Sequence, residues 1–304
     1  MENGGIFDKI SIEFINKKHL MITIQKTRII TYKPFIKRVW GKRQLLSQLE
    51  NLYPKKFKKY FEPFVWGWAV FFDLRNRFWT SFPAYLIDIN DEMIITYNTI
   101  KNNVELLIKE LKKYRYDKEF FMKIRAWDRK PGFKKRSDIQ RAARFIYLNR
   151  TGFNWLYRVN WSGFYNVPMG SYSNPMICDV DNLFAAQASL QNTTIKNEDF
   201  ETILKHAKAW DFVYFDPPYD TLTDTANFTS YNKWGFGKEE QKRLFEVYRK
   251  LDKKWCYVML SNHNTPFINK LYKDYRRETV LAKRAINSDA SKRWNVEETV
   301  ILNY

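Results

Sequence analysis

Residues 212 to 220, FVYFDPPYD, set a carboxylate, two prolines and a tyrosine directly behind a run of apolar residues. The prolines fix the backbone, so that Asp216 and the main-chain carbonyl of Pro217 can both accept hydrogen bonds from one amino group. Pro218 then carries Tyr219 alongside as a face for stacking. Such a group suits a base extruded from a duplex. The exocyclic amine of a purine delocalises its lone pair into the ring and is a poor nucleophile until two acceptors draw it toward tetrahedral geometry. The same residues also fit a plain Pro-Pro turn after a buried strand, with Asp216 as its solvated end.

The elements that must position this group are legible as apolar runs. Tyr60 to Phe64, Ala84 to Ile89, Phe212 to Phe215 and Cys256 to Leu260 have the length of buried strands, and each precedes a helical pattern. Ile100, Val104, Leu107, Ile108 and Leu111 recur at helical spacing, as do Leu244, Tyr248 and Leu251. Strands alternating with helices predict an α/β fold with a doubly wound, mostly parallel sheet and ligand sites at the carboxyl ends of its strands. The middle of the chain departs from this pattern. A helix carrying Ile139, Ala142, Ala143 and Ile146 is followed by an aromatic, turn-rich stretch, FNWLYRVNWSGFYNVPMG, which reads as an inserted domain.

Composition narrows the partner. With 52 Lys and Arg against 33 Asp and Glu in 304 residues, the chain carries a formal charge of +19, which favours a polyanion. Clusters at Lys55, Lys56, Lys58 and Lys59 and at Arg129, Lys130, Lys134, Lys135 and Arg136 can follow phosphates, although each taken singly also fits a solvated face. Cys178, Cys256, His19, His206 and His263 lie too far apart in sequence for a zinc or disulfide pattern, so no metal is expected. No apolar stretch is long enough to span a bilayer, and no signal pattern opens the chain. These features predict a cytoplasmic protein with no membrane partner.

Six segments in order, PFIKRVWGKRQLL (34 to 46), YFEPFVWGWAVFFDL (60 to 74), FNWLYRVN (153 to 160), FYNVPMGSY (164 to 172), DFVYFDPPYD and YVMLSNHN, resemble the DNA adenine methylase family over residues 30 to 304. The resemblance implies a Rossmann-like methyltransferase sheet with an inserted helical and hairpin DNA-recognition domain. It also implies transfer of a methyl group from S-adenosylmethionine to the adenine amine of double-stranded DNA, in GATC. A catalytically impaired DNA-binding remnant is the alternative. The division it suggests is an N-terminal extension over 1–30, a catalytic domain over 31–115 and 180–304, and a target-recognition insertion over 116–179. Family members begin shortly before the PFIK-like segment, so residues 1 to 20 are expected to precede the true start, with a genuine N-terminal arm as the alternative.

Residue by residue, the resemblance gives Asp216, Pro217, Pro218 and Tyr219 the catalytic role. It gives Lys37, Arg38, Lys42, Glu62, Pro63, Phe64, Gly67, Asp88 and Asp216 to the cofactor, and Asn154, Arg158, Pro168 and Tyr172 to DNA. An acceptor such as Asp88 at a strand end suits a ribose diol, and Asp88 with Asn90 equally fits a helix N-cap. Arg158 can donate bidentately to a guanine edge. Two departures stand out: Arg38 replaces an aromatic residue, and Ser171 stands where a basic one is usual. A monomer is the default for a base-flipping enzyme. Whether the enzyme accompanies a restriction endonuclease stays open.

The chain holds 10 glycines and 11 tryptophans, where glycine ordinarily makes up about 7% of residues. At seven positions where the family pattern has glycine this chain has tryptophan: Trp40, Trp66, Trp68, Trp155, Trp210, Trp255 and Trp294. An indole at 66 or 68 is expected to obstruct the cofactor, since such loops need positive φ and close backbone approach. Seven exchanges of a single type, with the DPPY segment intact, suggest a gene in which UGA means glycine, read with a table in which it means tryptophan. Trp234 is ambiguous under this rule, and Trp79, Trp127 and Trp161 show no demand for glycine.

Overall fold

The computed structural model describes residues 7–15, 19–27, 42, 45–64, 69–78, 82–221, 236–283 and 295–304. Its frame is a seven-stranded sheet in the order β5-β4-β3-β6-β7-β9-β8. The strands are β3 (Tyr60–Pro63), β4 (Ala84–Asp88), β5 (Thr193–Asn197), β6 (Phe212–Phe215), β7 (Tyr257–His263), β8 (Arg276–Lys283) and β9 (Asn295–Leu302). β5, β4, β3, β6 and β7 run parallel, as the apolar runs of β4, β3, β6 and β7 anticipate, while the edge strand β5, TTIKN, has no such run and carried no signal in the sequence. Successive residues alternate between the two faces. Tyr60, Leu86, Phe212 and Tyr214 enter one core, and Phe61, Tyr85, Ile87, Val213 and Phe215 enter the other. β9 lies antiparallel between β7 and β8. A separate antiparallel hairpin pairs β1 (Phe7–Ile15) with β2 (His19–Thr27), and Met21, the expected start, lies within β2 opposite Glu13.

Helices cover both faces. α3 (Asp91–Leu111) opens on Asn90, whose side chain accepts from the Met93 N–H, and buries Ile100, Val104, Leu107, Ile108 and Leu111 as its spacing predicts. α7 (Lys238–Lys253) buries Gln241, Leu244, Tyr248 and Leu251 against the opposite face. α1 (Leu46–Leu49), α2 (Ala69–Phe78), α6 (Val180–Ser189) and α8 (Pro266–Leu271) complete the layers. From β3 the chain steps outward through β4 and β5, then returns to add β6 and β7 on the other side of β3. The crevice at the carboxyl ends of β3 and β6 is therefore the switch point at which such sheets bind ligands.

Between α3 and α6 lie α4 (Lys118–Arg125) and α5 (Asp138–Thr151), followed by two arms that pair through bridges Gly152–Met169 and Val159–Tyr165. α5 serves two cores. Ala142, Ala143, Phe145 and Ile146 pack into the main core, while Tyr147 and Leu148 join Phe121, Ile124, Tyr165 and Val167 in a small satellite. The segment is thus anchored through a shared helix.

Three of the glycine-like tryptophans fall among the described residues, and all three have left-handed backbones: Trp155 at φ 54°, Trp210 at 70° and Trp255 at 61°. An L-residue held there costs about 1–2 kcal/mol, a penalty that glycine escapes. Trp127 and Trp161, outside that set, do not adopt positive φ. Trp40, Trp66, Trp68 and Trp294 lie outside the described residues.

Candidate active site

β6 delivers residues 216–220 to the switch point, where neighbouring elements clamp the turn from behind. Gln241 Nε2 donates to the Pro218 carbonyl at 2.8 Å, and Asn262 Nδ2 donates to Gln241 Oε1 at 3.1 Å. Asn262 Oδ1 accepts from the Asp220 N–H at 2.9 Å, and the Thr265 hydroxyl donates to the Asp220 carboxylate at 2.6 Å. His263 Nδ1 lies 2.6 Å from the Asp220 carbonyl, which can only accept, so that nitrogen carries the proton. Pro218 and Asp220 are thus committed to the protein. No such bond to the Pro217 carbonyl occurs among the described residues, which leaves it as an acceptor beside Asp216.

In front of the turn, Lys42, Tyr219 and Glu298 form one cluster. Lys42 Nζ contacts the Tyr219 hydroxyl, lies 2.9 Å from Glu298 Oε2 and stands 3.4 Å from Asp216 Oδ1. The Tyr219 hydroxyl donates to Glu298 Oε2 at 2.8 Å. Burial, then the charges of Asp216 and Glu298, push the Tyr219 hydroxyl far above its usual pKa, so it remains a donor. The Tyr219 ring meets His263 edge-on at 4.9 Å between centroids. Glu298 and Gln241 carry no motif in the sequence. Gln241 alone had a signal, as a polar residue in helical phase with Leu244, Tyr248 and Leu251.

On the other side of the switch point, Pro63 is in register with Ile87, which sets Asp88 one residue beyond at the end of β4. Asp88 is 9% exposed, and its Oδ1 accepts from the Asn90 N–H at 2.7 Å. Both Asx features of a helix start are therefore realised at Asp88 and Asn90. Glu62 is buried, and its Oε2 accepts from the Tyr60 hydroxyl at 2.7 Å and from the Phe71 N–H at 3.1 Å, tying β3 to the first turns of α2. Burial, reinforced by the negative charge of Asp216, pushes Glu62 up to about 8. Phe64 turns the chain out of β3 at φ 71°, with its ring against Phe200 and Phe236. Lys37, Arg38 and Gly67 lie outside the described residues. No group of three or more metal-ligating side chains occurs among the described residues, and no helix there is long and apolar enough to cross a membrane.

The four residues assigned to DNA lie on the paired arms. The Phe153 N–H donates to the Pro168 carbonyl at 2.9 Å, which sets Pro168 against the start of the first arm. The Tyr172 hydroxyl reaches back to the Gly152 carbonyl at 3.1 Å, and its ring stacks on Trp155 at 5.7 Å and 7°. Asn154 is left-handed at φ 51°. Arg158 Nε donates to Asn166 Oδ1 at 2.7 Å across the arms. Arg129 of the second basic cluster donates to the Tyr165 carbonyl at 2.7 Å, and Lys130, Lys134 and Lys135 beside it are exposed. The first cluster is placed differently. Lys55 to Lys59 precede β3 and so lie toward the amino ends of the parallel strands, the end opposite Asp216.

Residues 41–286 match the model of the D12 class N6 adenine-specific DNA methyltransferases. The chain belongs to this family. A Type II methyltransferase of Methanocaldococcus jannaschii is 43% identical over 90% of this chain and 99% of its own length. A Type II methyltransferase of Lactococcus lactis subsp. cremoris is 40% identical over 93% of this chain and 99% of its own. A DNA adenine methylase of Vibrio cholerae is 33% identical over 89% and 95%. The chain is therefore an adenine-specific DNA methyltransferase by family. Such methyltransferases generally use S-adenosylmethionine.

Proposed function

We propose that this methyltransferase acts as a cytoplasmic monomer on duplex DNA, methylating adenine N6 in GATC with S-adenosylmethionine as methyl donor. The observation that carries the catalytic part is the turn after β6, where Pro218 and Asp220 are bonded by the protein while the Pro217 carbonyl faces no protein donor among the described residues. Asp216 and that carbonyl accept hydrogen bonds from the two N–H groups of the extruded adenine's amine and draw its lone pair out of the ring, one of the two protons leaving to solvent once the methyl group is on the nitrogen, and Tyr219 stacks on the ring.

The residues present fit the cofactor. Asp88 and Asp216 place nearly buried carboxylates at the ends of β4 and β6, on either side of β3, in keeping with a molecule that presents a ribose diol and a cationic sulfur. S-adenosylmethionine supplies a methyl group on a sulfonium. Asp88 accepts from the ribose hydroxyls. Pro63 and Phe64 form the wall at the end of β3, with Glu62 bracing that strand end, and Lys42 closes the site beside Asp216. Lys37, Arg38 and Gly67 complete the set by resemblance.

Residues 116–179 form the recognition insertion. Arg158 reads a guanine edge, Asn154, Pro168 and Tyr172 shape the contact, and Lys130, Lys134 and Lys135 follow phosphates. Identities of 40 and 43% to Type II methyltransferases, against 33% to a DNA adenine methylase, favour a restriction-modification role.

The test is plasmid DNA recovered from cells that express the chain. It is expected to resist an endonuclease blocked by methylated adenine in GATC and to remain sensitive to enzymes that report other adenine sites. Methylated adenine mapped to a different sequence overturns the GATC reading and leaves the family intact.

A further inference from the structure

We infer that Glu298 is a positioning residue for Tyr219, a role that rests on the reading of Tyr219 as the stacking face for the target base. One oxygen of Glu298 accepts from both the Tyr219 hydroxyl, at 2.8 Å, and Lys42, at 2.9 Å. The carboxylate is only 14% exposed, and it reaches the cluster from β9, a strand remote in sequence from the turn that it serves. β9 pairs Glu298 with His263, and His263 holds the Asp220 carbonyl and packs its ring against Tyr219. The tyrosine is therefore fixed at its ring by His263 and at its tip by Glu298. A prolyl-anchored tyrosine still rotates about its side-chain bonds, and a stacking platform works only at one ring tilt. The charge-assisted hydrogen bond at the hydroxyl removes that freedom. Lys42 pairs with the carboxylate in this nearly buried place.

The experiment compares Glu298→Ala, Glu298→Gln, Tyr219→Phe and the Glu298→Ala/Tyr219→Phe double variant. Glu298→Ala is expected to lower kcat at least about tenfold while the KM for cofactor moves by less than about threefold, because the chemistry loses alignment and the cofactor keeps its contacts. Glu298→Gln, which still offers the hydroxyl an acceptor, recovers most of the loss. The double variant is no more than about twofold slower than the slower single one, because both changes delete the same tether. Duplex carrying 2-aminopurine at the target position brightens more with Glu298→Ala than with the unsubstituted chain, since the extruded base no longer stacks on a fixed ring. Losses that multiply in the double variant overturn the role. So does a kcat for Tyr219→Phe within about twofold of the unsubstituted chain, whether or not Glu298→Ala folds. The 2-aminopurine signal needs no turnover, so a chain that methylates nothing refutes the proposed reaction while the brightness ratio still decides Glu298.

A different observation carries a second inference: the structure assigns glycine, in the functional protein, to positions 155, 210 and 255. Trp255 follows the C-cap of α7, and its N–H donates to the Asp252 carbonyl at 2.8 Å while the Cys256 N–H donates to Leu251 at 3.1 Å. This is the Schellman pattern, whose left-handed residue is usually glycine. Trp210 is the third residue of a turn closed by the Asp211 N–H on the Lys208 carbonyl at 3.1 Å, and its positive φ is that of a type II turn, which also asks for glycine. Trp155 directly follows the left-handed Asn154. The indoles of Trp255 and Trp210 repay little of this strain by burial, being 72% and 49% exposed.

The codons of the gene decide it. UGA is expected for Trp155, Trp210 and Trp255, and UGG for Trp127 and Trp161; UGG at the first three overturns the assignment. On the protein itself, Trp255→Gly and Trp210→Gly are each expected to raise the Tm by about 2 °C or more. A lower Tm for both overturns the assignment as surely as the codons would.

Discussion

The turn at Asp216 and the arms that carry Arg158 solve opposite problems. The turn is held by side chains from three elements beyond its own strand: Gln241 on α7, Asn262 and His263 at the end of β7, and Glu298 on β9. The arms are held mostly from within their own segment, by two isolated bridges, by bonds such as Phe153 N–H to the Pro168 carbonyl, Arg158 Nε to Asn166 Oδ1 and Arg129 to the Tyr165 carbonyl, and by a satellite core of six buried residues shared with α5. Methyl transfer needs an acceptor pair fixed within a fraction of an ångström before the base arrives. On the proposed reading the arms meet a groove, where side chains have to reach base edges and settle, and support from within their own segment suffices for that.

That contrast breaks most sharply at Asp216. Asp216→Ala removes one of the two amine acceptors and is expected to lower kcat by about 10²–10³ or more, with duplex affinity within a few-fold, measured by methyl transfer alongside gel-shift binding. A parallel loss of affinity would mean that the turn also carries binding. Arg158→Ala is expected to do the reverse. Discrimination at one base pair falls by about 1–3 kcal/mol while the maximal rate on the preferred site changes little, which kcat/KM on duplexes altered one pair at a time will show. Smaller again is the effect of the basic loop. Replacing Lys130, Lys134 and Lys135 together by alanine is expected to flatten the slope of log affinity against log salt by about 3, one per phosphate contact. The same change at Lys55, Lys56 and Lys58 leaves the slope alone, because those residues lie at the amino end of β3. Equal slopes for the two triple variants would refute the placement of DNA at the switch point.

Sequence reading succeeded where a property is written along the chain. β3, β4 and β6 are buried on both faces, so they appear as unbroken apolar runs whose ends fall within one residue of the strand ends. The DPPY turn announces its own chemistry through fixed backbones. Glu298 was invisible because its role depends on β9 pairing antiparallel with β7, a register that no local pattern records, and its neighbour Glu297 is exposed. Charge runs mislead for a related reason. The cluster at Lys55 and the cluster at Lys130 look alike in sequence, and only the fold separates them: the direction of β3 puts the first at the amino ends of the strands, while Arg141, shortly after the second, pairs with Asp91 and Glu92 at the start of α3, just beyond the carboxyl end of β4. The three left-handed tryptophans lie between these extremes. Their excess is visible in composition, while the backbone demand that makes them anomalous is a property of the folded chain.

The smallest expected effect concerns the support behind the site. Glu62 is buried beside Asp216, and its folded pKa is raised from 4.5 to about 8 by burial first of all. A carboxyl group whose pKa is raised on folding binds its proton more tightly in the native state. Its stabilising contribution is complete below pH 4.5, and it is lost as the pH climbs through the folded value near 8. The Tm is therefore expected to decline by a few degrees between about pH 5 and pH 8, once the other titrations are subtracted by comparison with Glu62→Gln. Glutamine keeps an acceptor for the Tyr60 hydroxyl and the Phe71 N–H and has no proton to lose, so its Tm should be flat over that window where the parent's falls. Parallel curves for the two proteins would show that Glu62 is already ionised at pH 5. The negative charge it then keeps beside Asp216 would have to be balanced by Lys42, which would tie the bracing of β3 directly to the cluster around Tyr219.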